Sequence, residues 1–143
     1  MSASRTPPSG DHCRSSVRPL ILVVDDIAEI VEELVALLGL VEIGAVGVGT
    51  LGDAIAILES EPTIRIVICD LRLSRERGID ILAHVKRNPA LSTRRLRYIF
   101  ISGDPVQSQL LGDGFDGTVM SKPVQPRALI ACLQEMLADG CSA

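Results

Sequence analysis

Four stretches of the chain carry side chains that can take part in chemistry, and each stretch follows a run of apolar residues. The side chains are Asp25 with Asp26, then Asp70, Ser102 and Lys122. A carboxylate can attack phosphorus as a nucleophile, while a lysine and a metal ion balance charge on the phosphoryl oxygens and a hydroxyl hydrogen-bonds one of them. If the fold brings these side chains together, the set predicts phosphoryl transfer to an aspartate.

The apolar runs in front of these residues alternate with segments of helical periodicity. Strands are predicted at residues 20–24, 43–48, 64–69, 97–102 and 117–120. Helices are predicted at residues 27–38, 51–58, 79–87 and 104–111, with a last helix that begins at Pro126 and ends before Gly140. Thr50, with Asp53 three positions later, is expected to cap the second helix.

This alternation predicts the α/β class, because right-handed crossovers place helices on both faces of a parallel sheet. We expect a flavodoxin-like, doubly wound sheet of five strands in the order 2-1-3-4-5. The ligand crevice of such a sheet lies at the carboxyl ends of strands one and three, which Asp25, Asp26 and Asp70 follow. Close like charges raise each other's pKa unless a cation is bound, so this oxygen-rich set predicts Mg²⁺.

The composition limits the class of protein. The 143 residues are expected to form one domain at 19–139, between a flexible polar tail at 1–18 and a short tail at 140–143. The net charge of −4 gives no drive towards nucleic acid or an anionic membrane, so protein partners are expected. We expect no membrane span and no secretory signal, and we expect reduced thiols at the four scattered cysteines. These features predict a cytoplasmic protein.

The order and spacing of the chemical residues resemble those of the receiver domains of two-component signalling, over residues 20–137. The matching positions are Asp25-Asp26 after strand one, Asp70 after strand three, Ser102-Gly103 at the end of strand four and Lys122-Pro123 after strand five. The resemblance implies that Asp70 accepts a phosphoryl group from a histidine kinase or a histidine phosphotransfer protein. Such a protein is a phosphoacceptor signalling domain that takes part in its own phosphorylation and dephosphorylation, and it is not an enzyme acting on a separate substrate.

The resemblance also implies individual roles at the site. Asp25, Asp26 and Asp70 would bind Mg²⁺ together with the main-chain carbonyl of Arg72. Ser102 would be the switch hydroxyl, and Lys122 would contact the phosphoryl oxygens and precede a cis peptide bond. Too few residues follow residue 137 for an output domain. Output is therefore expected to pass through an unidentified partner, unless the protein is a phosphate sink or a relay, and a homodimer is left open.

Several positions depart from the family pattern. Ser74 replaces the usual proline four residues after the acceptor, so the loop is expected to be more mobile. Val119 replaces the aromatic residue expected three positions before the lysine, and it has no ring to swing inward. The segment between strands four and five is shorter than usual, which shortens helix four. Arg72 and Asp104 stand beside the site and are expected to alter the phosphoryl lifetime.

Three other interpretations remain. A degenerate receiver would serve as a constitutive protein-interaction module, a reading that Val119 and Ser74 motivate. A phosphatase of the haloacid-dehalogenase type uses similar residues, but it carries its nucleophile on the first strand with another Asp two residues later. Residues 47–52 spell GxGxxG, which favours a dinucleotide site only weakly because the motif follows the second strand.

Overall fold

The computed structural model describes residues 18–103 and 118–142, the last four of them by their backbone alone. Its strands are β1 (Ile21–Val24), β2 (Ala45–Val48), β3 (Ile66–Asp70), β4 (Arg97–Ser102) and β5 (Thr118–Ser121). The helices within the described residues are α1 (Ala28–Leu40), α2 (Leu51–Ser60), α3 (Ile81–Arg87, preceded by a 3₁₀ turn at Gly78–Asp80) and α4 (Pro126–Ser142). The helix predicted at residues 104–111 lies outside the described residues.

The five strands run parallel in one sheet with the order β2-β1-β3-β4-β5, which confirms the predicted topology. Strands β1 and β3 are apolar on both faces up to Asp70 and are fully buried, as expected for a parallel sheet covered by helices. The register pairs Val24 with Cys69, and Asp70 with Ile101. The residues that follow β1 therefore lie beside Asp70, at the carboxyl edge of the sheet.

Alternate residues of β1 enter two separate apolar clusters, because successive side chains of a strand point to opposite faces. Leu22 and Val24 pack with buried side chains of α2 and α3 on one face. Ile21 and Val23 pack with α1 and α4 on the other face. Burying one such side chain contributes roughly 1.5–3 kcal/mol. The predicted layers, with helices on both faces, are confirmed, and they hold the carboxyl edge of the sheet in place.

The end of α1 differs from the prediction by a short distance. The helix passes through Gly39, where the sequence predicts its end, and stops at Leu40. The chain turns at Glu42 instead, which adopts the left-handed conformation with φ 62°. The N–H of Ile43 then donates to the carbonyl of Leu38 at 2.9 Å, which closes the turn typical of helix C-termini. The helix ends where its terminal carbonyls find partners, and a glycine is not required.

The other helix boundaries follow similar rules. The hydroxyl oxygen of Thr50 accepts the N–H of Asp53 at 3.1 Å, which confirms the predicted cap of α2. Helix α4 begins at Pro126 as predicted but extends past Gly140 to Ser142, so the predicted end is wrong. A glycine inside a helix costs only about 1 kcal/mol, and it keeps its backbone hydrogen bond.

Candidate functional site

Two carboxylates are buried next to each other at the carboxyl edge of the sheet. Asp25 follows β1 directly and Asp70 ends β3, and the register of the two strands places these residues side by side. Each residue is only 5% exposed. Buried carboxylates are costly unless hydrogen bonds or opposite charges compensate for lost water. The partners of each carboxylate therefore decide what the site can do.

Asp70 is held through both of its carboxylate oxygens. The Lys122 ammonium donates to Oδ2 at 2.7 Å, and the main-chain N–H of Arg72 donates to Oδ1 at 3.0 Å. The hydrogen bond to Asp70 raises the pKa of Lys122, with the charges of Asp70, Asp25 and Asp26 adding to it and partial burial opposing it. The Lys122 side chain therefore remains charged, and it lies beside an Asp70 carboxylate whose orientation is fixed.

Asp25 is compensated less completely. Its Oδ1 accepts the main-chain N–H of Ile27 at 2.9 Å. Burial raises the pKa of the Asp25 carboxyl, and the charges of Asp70 and Asp26 act in the same direction. The Ile27 hydrogen bond and the Lys122 charge oppose this effect without cancelling it. The site therefore concentrates more negative charge than Lys122 neutralises.

Asp26 differs from Asp25 and Asp70 because it is exposed and accepts a hydrogen bond from a side-chain hydroxyl. Its Oδ2 accepts a hydrogen bond from the hydroxyl of Ser74, which lies in the loop after β3. That hydrogen bond lowers the pKa of the Asp26 carboxyl. Asp26 therefore stays ionised at the mouth of the site, with one oxygen fixed by a residue 48 positions away in the sequence.

Ser102 and Lys122 reach the same edge from the neighbouring strands. Ser102 ends β4, one residue beyond the Ile101 partner of Asp70, and it is buried. The main-chain N–H of Lys122 donates to the carbonyl of Ser102 at 2.9 Å, which ties the end of β5 to the end of β4. The Lys122-Pro123 peptide bond is cis, as the resemblance implies.

A cavity of about 680 Å³ opens over these residues. Its lining consists of Asp26, Ile27, Asp70, Arg72, Leu73, Ser74, Gly103 and Lys122. Asp25 and Ser102 do not line the cavity, and both are buried. A phosphoryl group entering the cavity would meet the Asp70 carboxylate and the Lys122 ammonium together.

The site's chemistry fits a hard cation such as Mg²⁺. Three carboxylates surround one ammonium group, and carboxylate and carbonyl oxygens are the ligands this ion prefers. As the side chains stand in residues 18–103 and 118–142, no three acidic, histidine or cysteine residues converge to hold a metal. Asp26 is turned towards Ser74, and Asp70 towards Lys122. The donor types fit Mg²⁺, and a carboxylate can bind the ion through one oxygen while its other oxygen keeps a hydrogen bond.

The structure thus brings together Asp25, Asp26, Asp70, Arg72, Ser102 and Lys122, while Asp104 lies outside the described residues. Sequence reasoning missed two contacts of the loop after β3. Ser74 was predicted only to make the loop more mobile, yet its hydroxyl binds Asp26. Glu76 accepts the N–H of Leu51 at 3.0 Å, at the first turn of α2. A phosphate bound at this helix N-terminus would need the same N–H donor, which the Glu76 carboxylate already occupies. Neither contact has a signal in the sequence, because each joins segments far apart in the chain.

Val119 stands where the family carries an aromatic ring. It pairs with Phe100 in the sheet and packs, partly buried, against the apolar cluster on the α2 and α3 face. Cys69, next to the acceptor, is buried in the same cluster, and burial raises its pKa well above its ordinary value. The thiol is therefore a packing group.

The fold and the acidic pocket define a class of protein that the family comparison identifies. The model of the response regulator receiver domain matches residues 21–134. The chain belongs to this family.

Solved structures of receiver domains resemble this one. A response regulator receiver protein from Pseudomonas putida is 31% identical, with 82% of this chain and 97% of that chain covered and a TM-score of 0.68. A response regulator receiver domain protein from Methanospirillum hungatei JF-1 is 25% identical, with coverages of 85% and 95% and a TM-score of 0.70. The signal receiver domain of an HD domain-containing protein from Pseudomonas fluorescens Pf-5 is 24% identical, with coverages of 88% and 99% and a TM-score of 0.73, and it supports the fold alone.

No curated protein matches the chain. Across residues 18–103 and 118–142, none of the helices has both the length and the apolar character needed to cross a bilayer.

Proposed function

We propose that Asp70 accepts a phosphoryl group from a phosphohistidine, in a reaction that depends on Mg²⁺, and that the phosphorylated protein controls a partner. The donor would be a histidine kinase or a histidine phosphotransfer protein. The observation that carries the proposal is the pairing of Asp70 with Lys122 at 2.7 Å, beside Asp25 and at the base of an open cavity. This is the arrangement that a carboxylate nucleophile needs.

The chain's own residues would divide the work. A carboxylate oxygen of Asp70 attacks phosphorus, an O–P bond forms, and the P–N bond to the donor imidazole breaks with its electron pair going to nitrogen. Asp70 loses charge as the bond forms, so Lys122 can move its hydrogen bond to a phosphoryl oxygen. The Arg72 N–H holds the other side of the carboxylate. Ser102 would hydrogen-bond a second phosphoryl oxygen.

Asp25, Asp26, Asp70 and the carbonyl of Arg72 would hold the Mg²⁺. When bound, this ion supplies positive charge to the phosphoryl oxygens and offsets repulsion between them and the carboxylates. Support comes from the raised pKa of Asp25, which marks a carboxylate that lacks sufficient positive charge nearby. We place the reaction in the cytoplasm, where thiols such as Cys69 and Cys132 remain reduced.

The direct test is intact-mass analysis after incubation with acetyl phosphate and Mg²⁺. We expect a single phosphoryl adduct that hydroxylamine removes, because an acyl phosphate is labile. Asp70→Asn and excess chelator should each abolish the adduct. Asp53→Asn, which makes the same change at an exposed position on α2, should keep it. An adduct that persists in Asp70→Asn would refute the assignment of the acceptor.

A second function has one specific observation in its favour. Val119 packs against the core where an aromatic switch is expected, so a degenerate receiver would bind its partner without phosphorylation. The same experiment separates the two functions. The wild-type chain should form no adduct under any condition if the protein is only a constitutive interaction module.

A further inference from the structure

The loop between Asp70 and α3 is fastened by its own main-chain hydrogen bonds. The N–H of Gly78 donates to the carbonyl of Leu71 at 2.9 Å, and the N–H of Leu73 donates to the carbonyl of Glu76 at 3.1 Å. Residues 72 and 77 pair between these two bonds as an antiparallel bridge. The loop is therefore a short hairpin with Ser74 at its tip, so the position of Ser74 does not depend on its contact with Asp26.

Two further contacts fix this hairpin to the rest of the site. The N–H of Leu71 donates to the carbonyl of Ile101 at 2.9 Å, which anchors its base on β4. The carboxylate of Glu76 accepts the N–H of Leu51 at 3.0 Å, which anchors its outer strand on the first turn of α2. The hairpin that carries Ser74 is thus anchored at two points, independently of the contact between the Ser74 hydroxyl and Asp26.

Of the three carboxylates, Asp26 depends most on a side-chain hydrogen bond for its orientation. Asp25 and Asp70 are buried and take hydrogen bonds from main-chain N–H groups nearby, so packing already orients them. Asp26 is exposed, and an exposed carboxylate loses rotamer freedom when a metal binds it. The Ser74 hydroxyl donates to Oδ2. This bond helps to fix the orientation of the Asp26 carboxylate at the mouth of the site.

We propose that Ser74 is a positioning residue for the Asp26 carboxylate and that it strengthens the binding of Mg²⁺ at the acceptor site. This inference rests on the Mg²⁺ dependence of the proposed function. Hydrogen bonds from an outer residue to a metal ligand orient that ligand, and their loss typically weakens metal binding about 10-fold or more. The side chain that departs from the family pattern thereby acquires a role that proline, which has no hydroxyl, does not provide.

The test is calorimetric titration of the metal-free chain with MgCl₂, which measures affinity without any phosphoryl transfer. Ser74→Ala should weaken Mg²⁺ binding about 10-fold relative to wild type. Ser74→Thr keeps a hydroxyl and should bind nearly as tightly as wild type. Ser60→Ala is the matched control, because the Ser60 hydroxyl bonds only within α2, at Ile57, away from the site. Thermal unfolding without Mg²⁺ should be the same for Ser74→Ala and Ser60→Ala.

Each other outcome has a definite meaning. Equal or tighter binding by Ser74→Ala would overturn the inference while leaving the proposed function intact. Weak binding by Ser74→Thr, equal to that of Ser74→Ala, would overturn the role of the hydroxyl. A wild-type chain that takes up no Mg²⁺ would refute the metal dependence in the proposed function itself, and the inference would fail with it.

Discussion

The two edges of the sheet compensate their polar groups to different degrees. At the amino edge, the guanidinium of Arg94 donates to main-chain carbonyls at the end of α2 and in the connection to β3. Its acceptors are Leu58, Glu61 at 3.4 Å, Pro62 at 3.5 Å and Ile64 at 2.6 Å. At the carboxyl edge, one lysine faces three carboxylates. The Arg94 guanidinium is satisfied by the chain itself, whereas the carboxyl edge retains negative charge that a bound cation would offset.

This difference teaches where stability and function reside. A satisfied set of hydrogen bonds contributes to folding and gains nothing from a ligand. A group of carboxylates with surplus charge destabilises the metal-free protein, and a bound cation removes this destabilisation. Substitutions at the amino edge should therefore alter the free energy of unfolding alone, while substitutions at the carboxyl edge should alter Mg²⁺ binding and chemistry.

The largest expected effect is that of Lys122→Ala on phosphorylation. Removing the ammonium leaves charge on the phosphoryl oxygens unbalanced in the transition state, so the rate of adduct formation should fall roughly 10²-fold or more. The rate is measured by intact mass over time with acetyl phosphate and Mg²⁺. Lys86→Ala, on the exposed face of α3, should react like wild type. Similar rates for Lys122→Ala and wild type would remove Lys122 from the chemistry.

The amino edge should respond in stability instead. Arg94→Ala leaves several carbonyls without their charged donor, so the free energy of unfolding should fall by about 2–3 kcal/mol. Urea titration measures this change. Arg95→Ala removes a neighbouring exposed arginine and should change stability little. An Mg²⁺ affinity that dropped in Arg94→Ala would contradict the separation of the two edges.

Asp25→Asn should reveal how much the surplus charge at the carboxyl edge destabilises the metal-free protein. Asparagine keeps an oxygen for the Ile27 N–H but removes a buried charge, so the metal-free protein should become more stable. The stabilisation of wild type by Mg²⁺ should be lost in this variant. Urea titrations with and without MgCl₂ measure both effects.

The pH dependence gives the sign of the Asp25 effect. Because the folded pKa is raised above the ordinary value of 3.8, the ionised carboxylate opposes folding, and this penalty disappears as the pH falls through the folded pKa. The advantage of Asp25→Asn over wild type should therefore be largest near neutral pH and shrink towards pH 3.8. An advantage that does not change with pH would show that its source is not the charge.

The residues that meet at the carboxyl edge could be predicted from the sequence better than the contacts at the amino edge. Strand periodicity and right-handed crossovers fix the sheet order, and strand ends then place Asp25, Asp70 and Lys122 together. The Arg94 contacts have no such signal, because a guanidinium that reaches several carbonyls depends on side-chain rotamers and not on spacing. The contact of Ser74 with Asp26 escaped prediction for the same reason. Chain topology can be predicted from patterns, whereas individual long-range side-chain contacts cannot.

The smallest expected effect concerns Glu42, at the amino edge after α1. Its φ of 62° is costly for a residue with a Cβ, so Glu42→Gly should raise the free energy of unfolding by about 0.5–1 kcal/mol. Glu42→Ala keeps the Cβ and should bring no such gain, which separates backbone strain from the loss of a charge. Urea titration of both variants measures the effect. Because the turn is closed by main-chain bonds far from the carboxylates, neither variant should alter Mg²⁺ affinity.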